Sequence, residues 1–229
     1  MIITNSMTPS HPFPLRIRSH IIPAILAHSK KEFLDKLSLI KKYYSSNRFQ
    51  IDVLDGRFVP YRAWCAVRDI EKMKLKDFDA HLMTHATLRH IQQWKRAGAH
   101  RIFIHYEAIA HPLPLLRKMQ KLHVKAGIAL NPETSPRVLT LLLPFIDAIL
   151  LMGERPGYGG QKFRKSILSK IQRTRTLAPH IPVIIDGGVT VKSAPLLLKA
   201  GASRLASGHA ALSPFEKNYE KNFSNHPCI

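Results

Sequence analysis

The amino-acid sequence predicts a single (β/α)8 barrel, the TIM barrel fold, and three observations support this. Short runs rich in Ile, Val and Leu alternate with longer amphipathic segments along the 229 residues. Eight such runs occur, most of them about 21 to 29 residues apart, which leaves room for one helix and two loops in each repeat. The runs are nearly continuously apolar, as is typical of parallel strands that are covered by helices.

The eight predicted strands are rich in aliphatic residues. They are Ile21–Leu26, Phe49–Leu54, Phe78–Met83, Arg101–His105, Lys125–Leu130, Ala148–Met152, Val183–Asp186 and Arg204–Ser207. The interval between the sixth and seventh strands is longer and contains a glycine-rich stretch. An open, doubly wound sheet is the alternative arrangement, but the glycine pattern of a dinucleotide-binding turn does not follow the first strand.

The segments between the strands have the period of an amphipathic helix. In Lys31–Tyr44, apolar residues recur at three- and four-residue spacing, and Ser29 and Glu32 have the spacing of a capping box. Gly98 and Gly201 follow two later segments and suit the left-handed residue that closes a helix. The other predicted helices are Thr87–Ala97, Pro112–Leu122, Ser135–Leu143, Lys165–Leu177 and Ser193–Ala200.

The barrel is predicted to occupy residues 21–213, with an N-terminal extension at 1–20 and a polar C-terminal tail at 214–229. The first 20 residues contain prolines and arginines but no long apolar stretch, so they do not resemble a secretory signal. The longest apolar stretch, Val138–Met152, is too short and too interrupted to span a membrane. The two cysteines are far apart and form no metal-binding pair, which fits a reducing cytoplasm.

The chain is strongly basic, with 35 Lys and Arg against 15 Asp and Glu and a formal net charge of +20. This balance attracts anions, which include sugar phosphates, nucleic acid and anionic lipid. The basic residues are spread over nearly every predicted helix, which favours a generally charged surface. Without a recognised nucleic-acid-binding motif or an aromatic–basic pattern, nucleic acid is disfavoured as a partner.

Polar residues stand at the carboxyl ends of several predicted strands, where the following loops build the active site of a barrel. Gln50 and Asp52 are two residues apart, so both point to the same face of the second strand. His81 lies in the third strand and Asp186 ends the seventh. Inward carboxylates are costly unless they are paired or bind a metal. Asp55 precedes a glycine and is predicted to be a turn residue.

Four segments resemble the characteristic motifs of ribulose-phosphate 3-epimerases. They are IDVLDGRFVP at 51–60, DAHLM at 79–83, MGERPGYGGQKF at 152–163 and IDGGV at 185–189. The motifs occur in the family's order and spacing, and the likeness covers about residues 20 to 213. The resemblance implies an isomerase that epimerises C3 of a ketopentose phosphate, converting D-ribulose 5-phosphate to D-xylulose 5-phosphate. D-allulose 6-phosphate is an alternative substrate.

The resemblance also implies the roles of the polar residues. Asp52 and Asp186 match the family's acid/base pair, and together with His81 they match three of its four metal ligands. Gln50 stands where the family has a fourth ligand, a histidine. We expect a divalent metal, either zinc, manganese, iron or magnesium, and an amide oxygen shifts the preference from Zn²⁺ towards harder ions. A catalytically weakened relative that binds a sugar phosphate is the alternative.

Glycine-rich loops match the family's substrate-binding positions. The predicted phosphate and substrate contacts are Gly157, Gly159, Gly160, Gly187, Gly188, Gly208 and His209, and the predicted pocket residues are Ala24, Met83 and Met152. Ala24 and His209 each stand where the family has a serine. His105, Tyr106 and Glu107 end the fourth strand and are predicted only to pack behind the site. We expect a homo-oligomer that acts on a sugar phosphate and has no membrane partner.

Overall fold

A computed structural model describes residues 11–44, 48–157 and 164–215. Eight parallel strands pair in sequence order and the eighth pairs with the first, so the sheet closes into a barrel. The strands are β1 Ile21–Ile25, β2 Phe49–Leu54, β3 Phe78–Met83, β4 Ala99–His105, β5 Lys125–Leu130, β6 Ala148–Met152, β7 Val183–Asp186 and β8 Arg204–Ser207. The predicted closed barrel is confirmed, and the open sheet is excluded.

Helices cover the outside of the barrel. They are α1 Leu15–Arg18, α2 Lys30–Tyr43, α3 Val67–Lys72, α4 Leu88–Arg96, α5 Pro112–Lys121, α6 Ser166–Leu177, α7 Ala194–Lys199 and α8 His209–Leu212. Short 3₁₀ turns occur at Tyr106–Ala108, Pro136–Leu139, Leu143–Phe145 and Ser213–Phe215. Within the described ranges, no helix has the length and hydropathy needed to cross a membrane.

The helix predicted at Ser135–Leu143 is wrong, because the structure forms two 3₁₀ turns there. The first turn begins at Pro136, and the side chain of Ser135 accepts a hydrogen bond from the N–H of Arg137. The second contains Pro144, whose ring is incompatible with a continuous α-helix through this segment. Leu139 and Leu142 are nevertheless buried, so the apolar period reflects packing on the barrel.

The predicted helix ends are largely confirmed. The hydroxyl of Ser29 accepts a hydrogen bond from the N–H of Glu32 at 3.1 Å, which caps α2. The carboxylate of Glu32 accepts from the N–H of His28, one residue before the cap. Gly98 and Gly201 have φ angles of 97° and 111°, the left-handed conformation that ends α4 and α7.

Two apolar layers are separated by the sheet. The outward side chains of the strands pack against the helices in the larger layer. The inward side chains form a second cluster of Ile22, Phe103, Ala129, Ala148, Leu150, Met152, Ile184 and Ala206. The ring of Phe103 lies over Gly127, so that a Cβ built on Gly127 would lie 2.1 Å from its Cδ1 atom. This cluster fills the middle of the barrel, and polar inward side chains are therefore confined to its two ends.

Residues on either side of the strands also pack against the barrel. Phe13 and Ile17, which fall in the predicted extension, are buried in the outer layer. The ring of Phe215 stacks on Tyr43 with a centroid distance of 3.9 Å. The division into residues 1–20, 21–213 and 214–229 stays a prediction, since residues 1–10 and 216–229 lie outside the described residues.

Candidate functional site

Asp52, His81 and Asp186 converge at the carboxyl end of the barrel. Asp52 and His81 are paired in register on β2 and β3, and Asp186 ends β7. One ligand atom from each of the three residues lies within 4.8 Å of the others. The strand alternation that buries Ile51 and Val53 on the outer layer turns Asp52 inward, as the sequence predicted. The structure therefore brings together the residues that were expected to form one site.

Hydrogen bonds join these residues to Gln50. Nδ1 of His81 lies 3.2 Å from Oδ1 of Asp52 and 3.1 Å from Oδ2 of Asp186. The side-chain amide of Gln50 donates to the same two oxygens, at 2.8 Å to Asp52 and 2.6 Å to Asp186. Gln50 and His81 are both fully buried, with 1% and 0% exposure. The two carboxylates are thus bridged by an amide and an imidazole.

Burial and charge set the protonation of this cluster. Burial raises the pKa of Asp52, and the nearby charge of Asp186 raises it further, against the hydrogen bonds from His81 and Gln50. Burial alone would lower the pKa of His81, but hydrogen bonds and charge from Asp186 and Asp52 outweigh it and raise the pKa to about 9. In the arrangement seen here His81 is therefore an imidazolium at neutral pH, and it offsets part of the negative charge.

A second histidine lies directly behind His81. Nε2 of His105 is 2.9 Å from Nε2 of His81, and Nδ1 of His105 is 3.4 Å from Oε2 of Glu107. Burial lowers the pKa of His105 to about 4, against the favourable contact with Glu107, so this ring is neutral. The other Glu107 oxygen accepts hydrogen bonds from the N–H of Asn131, at 2.7 Å, and from the hydroxyl of Thr134.

His105 and Glu107 are predicted from the sequence only to pack behind the site, so this chain of hydrogen bonds goes beyond that prediction. One signal was available, because His105 ends β4 at a position that faces inward with Phe103. The contact with His81 depends on the register of β3 against β4, in which His81 pairs with Phe103 and Leu82 with Ile104. Such a register is not visible in the separate motifs.

The side chains present include the ligand types of a divalent-cation site. Two carboxylates and one imidazole are donors that zinc, manganese and iron accept. Gln50 fits less well as it is placed, because its N–H groups face the carboxylates and an N–H group cannot coordinate a cation. An amide turned over would present its oxygen instead. Asp52, His81 and Asp186 therefore fit a cation, while Gln50 in this orientation competes with one.

The predicted pocket residues lie at the same end of the barrel as this cluster. Ala24 pairs with Gln50 across β1 and β2, and Met152 pairs with Asp186 across β6 and β7. Met83 follows His81 by two residues and is buried, with Leu54 and Val59, in a small apolar cluster at the same end. All three residues thus lie at the end of the barrel that carries the polar residues, and their role in lining a pocket stays a prediction.

The predicted phosphate- and substrate-binding residues that the structure describes lie in the loops at the same end. Gly187 and Gly188 follow β7 with φ angles of 89° and 67°, and Gly208 precedes α8, whose first residue is His209. Gly157 approaches the loop after β2, where a Cβ on Gly157 would lie 3.2 Å from the ring of Tyr61. Gly159 and Gly160 lie outside the described residues.

A cavity of about 160 Å³ lies beside this site, between the ends of β5 and β6 and the start of α6. Met152, Lys170 and Arg164 are among its lining residues, whereas the three converging residues are not. The ammonium of Lys170 donates to the carbonyls of Asn131 and Pro132. Burial lowers the pKa of Lys170 to about 8, against the attraction of Glu107 and Glu133. Lys170 thus ties α6 to the loop after β5.

Comparison with known proteins confirms the resemblance found in the sequence. The model of the Ribulose-phosphate 3 epimerase family matches residues 20–212. Ribulose-phosphate 3-epimerase from Bacillus subtilis (strain 168) is 34% identical over 200 residues, which cover 83% of this chain and 90% of that protein. Ribulose-phosphate 3-epimerase from Treponema pallidum (strain Nichols) is 32% identical over 202 residues, with 86% and 93% covered.

Solved structures also resemble this fold. A mutant tryptophan synthase alpha-subunit from Pyrococcus furiosus superposes with a TM-score of 0.65 and covers 84% of this chain and 88% of its own. The two sequences are 17% identical. At this level of identity the likeness concerns the barrel alone.

Proposed function

The chain belongs to the ribulose-phosphate 3-epimerase family, and we propose that it inverts C3 of a ketopentose phosphate, interconverting D-ribulose 5-phosphate and D-xylulose 5-phosphate. The observation that carries this proposal is the convergence of Asp52 and Asp186 around His81 at the carboxyl end of the barrel. Two carboxylates from different strands are the groups that epimerisation next to a carbonyl requires.

The chemistry follows from the geometry of the substrate carbon. Inversion removes a proton from one face of C3 and returns a proton to the other face of a planar enediolate. We assign one transfer to Asp52 on β2 and the other to Asp186 on β7, because these strands approach the site from different directions around the barrel. One carboxylate accepts the proton while the other, protonated, supplies one. The two aspartates exchange these roles in the reverse reaction.

A divalent cation is part of the proposal. Asp52, His81 and Asp186 would hold it, and the bound ion would stabilise the negative charge that develops on the enediolate oxygens. Gln50 would join them only with its amide oxygen turned towards the ion. The choice among zinc, manganese, iron and magnesium then depends on that fourth position, since imidazole and amide oxygen favour different metals.

The loops at the same end supply the proposed phosphate contacts. Backbone N–H groups after the seventh and eighth strands bind phosphate in many barrels. We assign this role to Gly187, Gly188, Gly208 and His209, and we assign the glycine-rich loop that begins at Gly157 to cover the substrate. Ala24, Met83 and Met152 would line the sugar pocket. A cytoplasmic location and a homo-oligomer are also proposed, on the sequence alone.

A second candidate is a weakened relative that binds a sugar phosphate without turning it over. It is favoured by one specific observation, the two hydrogen bonds through which Gln50 occupies the oxygens of both aspartates. D-allulose 6-phosphate is a third possibility within the same chemistry, since a longer sugar leaves the reacting carbon unchanged.

One experiment separates these candidates. Metal-stripped protein is assayed with D-ribulose 5-phosphate and D-allulose 6-phosphate in parallel, alone and with each of the four metals, with the Asp186→Asn variant as the inactive control. Metal-dependent turnover of the pentulose supports the proposal, and faster turnover of the hexulose changes the substrate. If calorimetry shows binding of D-ribulose 5-phosphate without turnover under every condition, the weakened relative is the better description. Protein that neither binds nor converts either sugar contradicts all three.

A further inference from the structure

Three buried side chains form a row that leads away from the site. His81 on β3, His105 at the end of β4 and Glu107 just after it are joined by contacts of 2.9 Å and 3.4 Å. Both imidazoles have 0% exposure, so water is excluded from the nitrogens between them. The positions of the hydrogen atoms on these ring nitrogens are therefore set by neighbouring protein groups and not by water.

The position of each hydrogen follows from what each atom can do. Two ring nitrogens 2.9 Å apart need one hydrogen between them, because two would clash and none would leave lone pairs opposed. The carboxylate of Glu107 can only accept, so Nδ1 of His105 carries an N–H group. Nδ1 of His81 faces both aspartates, so a neutral His81 that binds a cation through Nδ1 carries its hydrogen on Nε2. The hydrogen between the two rings then belongs to His81, and Nε2 of His105 accepts it.

Glu107 is itself held in one orientation. The backbone N–H of Asn131 can only donate, and it points at Oε1 of Glu107 at 2.7 Å. The hydroxyl of Thr134 donates to the same oxygen. These two contacts leave Oε2 to face His105. The loop after β5 therefore orients the carboxylate of Glu107, and that carboxylate in turn determines which nitrogen of His105 carries the hydrogen.

We propose that His105 and Glu107 are positioning residues that keep the hydrogen of neutral His81 on Nε2, so that its Nδ1 lone pair faces Asp52 and Asp186 and can bind a divalent cation. The inference rests on the proposed function where it treats His81 as a metal ligand. Neither residue contacts the two carboxylates directly in the described structure. Their effect passes through the tautomer of His81.

An isosteric substitution tests this directly. In Glu107→Gln the amide oxygen is kept towards Asn131 by the N–H of that residue, so the amide nitrogen must face His105. Nδ1 of His105 then becomes an acceptor and its hydrogen moves to Nε2. Nε2 of His81 has to accept in turn, which places the hydrogen of neutral His81 on Nδ1, where it blocks a cation. The change from a carboxylate to an amide at position 107 thus reverses the direction of each hydrogen bond in the row.

The measurements are calorimetric titration with Zn²⁺ and Mn²⁺ and the ¹⁵N NMR spectrum of the labelled imidazoles. We expect Glu107→Gln to weaken metal binding by about 10- to 100-fold, the range seen when supporting groups of metal ligands are changed. The matched control is Glu133→Gln, which removes the same charge from the loop after β5, the loop that contacts Glu107, at an exposed ion pair with Arg155. The control should bind metal as the wild type does.

The spectrum distinguishes the outcomes. In spectra recorded above pH 9, where metal-free His81 is neutral, His105 should be protonated on Nδ1 in the wild type and on Nε2 in Glu107→Gln. An Nε2-protonated His105 in the wild type, or unchanged metal affinity in a folded Glu107→Gln protein, would overturn the inference. If the wild type binds neither metal, the proposed metal site fails, but the His105 tautomers in the two metal-free proteins still decide whether Glu107 controls the row.

Discussion

The amide nitrogen of Gln50 lies 2.6 Å from Oδ2 of Asp186, which comes from a strand on the other side of β1 and β8. The same nitrogen donates to Oδ1 of Asp52 at 2.8 Å. A hydrogen bond to a carboxylate is stronger than one between neutral groups, so both contacts hold the acid/base pair in place. They also occupy the oxygens that a cation would need. The residue at position 50 therefore decides how easily a metal enters.

Replacing Gln50 with histidine tests this competition. Gln50→His removes both N–H contacts and adds an imidazole, so Zn²⁺ should bind at least about tenfold more tightly, or about 1.4 kcal/mol. Turnover should rise if the wild-type site lacks metal, and only the preferred metal should change if the site uses Mn²⁺ or Mg²⁺. Calorimetry and metal-dependent assays of both proteins measure these effects. The control Gln120→His adds a histidine on the exposed face of α5.

Unaltered zinc affinity and metal preference in Gln50→His would mean that position 50 does not reach the ion. The proposed competition between the Gln50 amide and a cation would then be wrong, and the two hydrogen bonds would serve only to assemble the aspartates.

The two aspartates should each be required for proton exchange. Asp52→Asn and Asp186→Asn remove a proton carrier, and each should slow the exchange of the C3 hydrogen with deuterated water by about 10²- to 10⁴-fold. Mass spectrometry of recovered D-ribulose 5-phosphate measures this rate. Asp55→Asn is the control, since the Asp55 carboxylate accepts a hydrogen bond from the N–H of Arg57 in a turn. Near-native exchange in either test variant would show that its role is misassigned.

Much of the barrel could be predicted because its strands are buried on both faces. A strand such as Lys125–Leu130 is marked by its apolar run alone, and its predicted limits are those of β5. The segment 135–143 could not be predicted in this way, since helices and 3₁₀ turns place apolar residues at similar spacing. The site residues that belong to the recognised sequence motifs could be predicted, whereas contacts between strands could not. The inward direction of Asp52 follows from strand alternation, whereas the contact of His81 with His105 depends on a register between strands.

The close contact between Gly127 and Phe103 makes a prediction about stability. A Cβ at position 127 would lie 2.1 Å from the ring of Phe103, inside the filled centre of the barrel. Gly127→Ala should therefore destabilise the protein by about 1–3 kcal/mol, as overpacking of a core does. Urea unfolding measures the loss. Adding Phe103→Leu to Gly127→Ala should recover part of it, and a Gly127→Ala protein as stable as the wild type would contradict the packing described.

The amino end of the barrel contains a buried ionisable side chain, Asp79, that has no catalytic role in our proposal. Asp79 faces inward there with 1% exposure, paired in register with Arg101. Among the described residues, Oδ1 of Asp79 and Nε of Arg101 are buried atoms without a hydrogen-bond partner. Burial raises the pKa of Asp79, and the nearby charges of Arg101, Arg48 and Lys125 oppose the shift without cancelling it. Ionising this carboxyl therefore costs free energy in the folded state.

The stability of the protein should depend on pH through Asp79. A pKa raised on folding gives stability that is fully present below the ordinary value of 3.8 and is lost as the pH rises through the folded value. Asp79→Asn keeps the shape of the neutral side chain and avoids this loss. Its melting temperature should exceed that of the wild type at pH 7 by about 2–4 °C, equivalent to about 1 kcal/mol, and the difference should shrink towards pH 4.

Differential scanning calorimetry at several pH values measures these melting temperatures. The control is Asp77→Asn at an exposed position, and its difference in melting temperature from the wild type should not change with pH. A lower melting temperature for Asp79→Asn at pH 7 would show instead that the ionised carboxylate is needed to offset Arg101 and its basic neighbours.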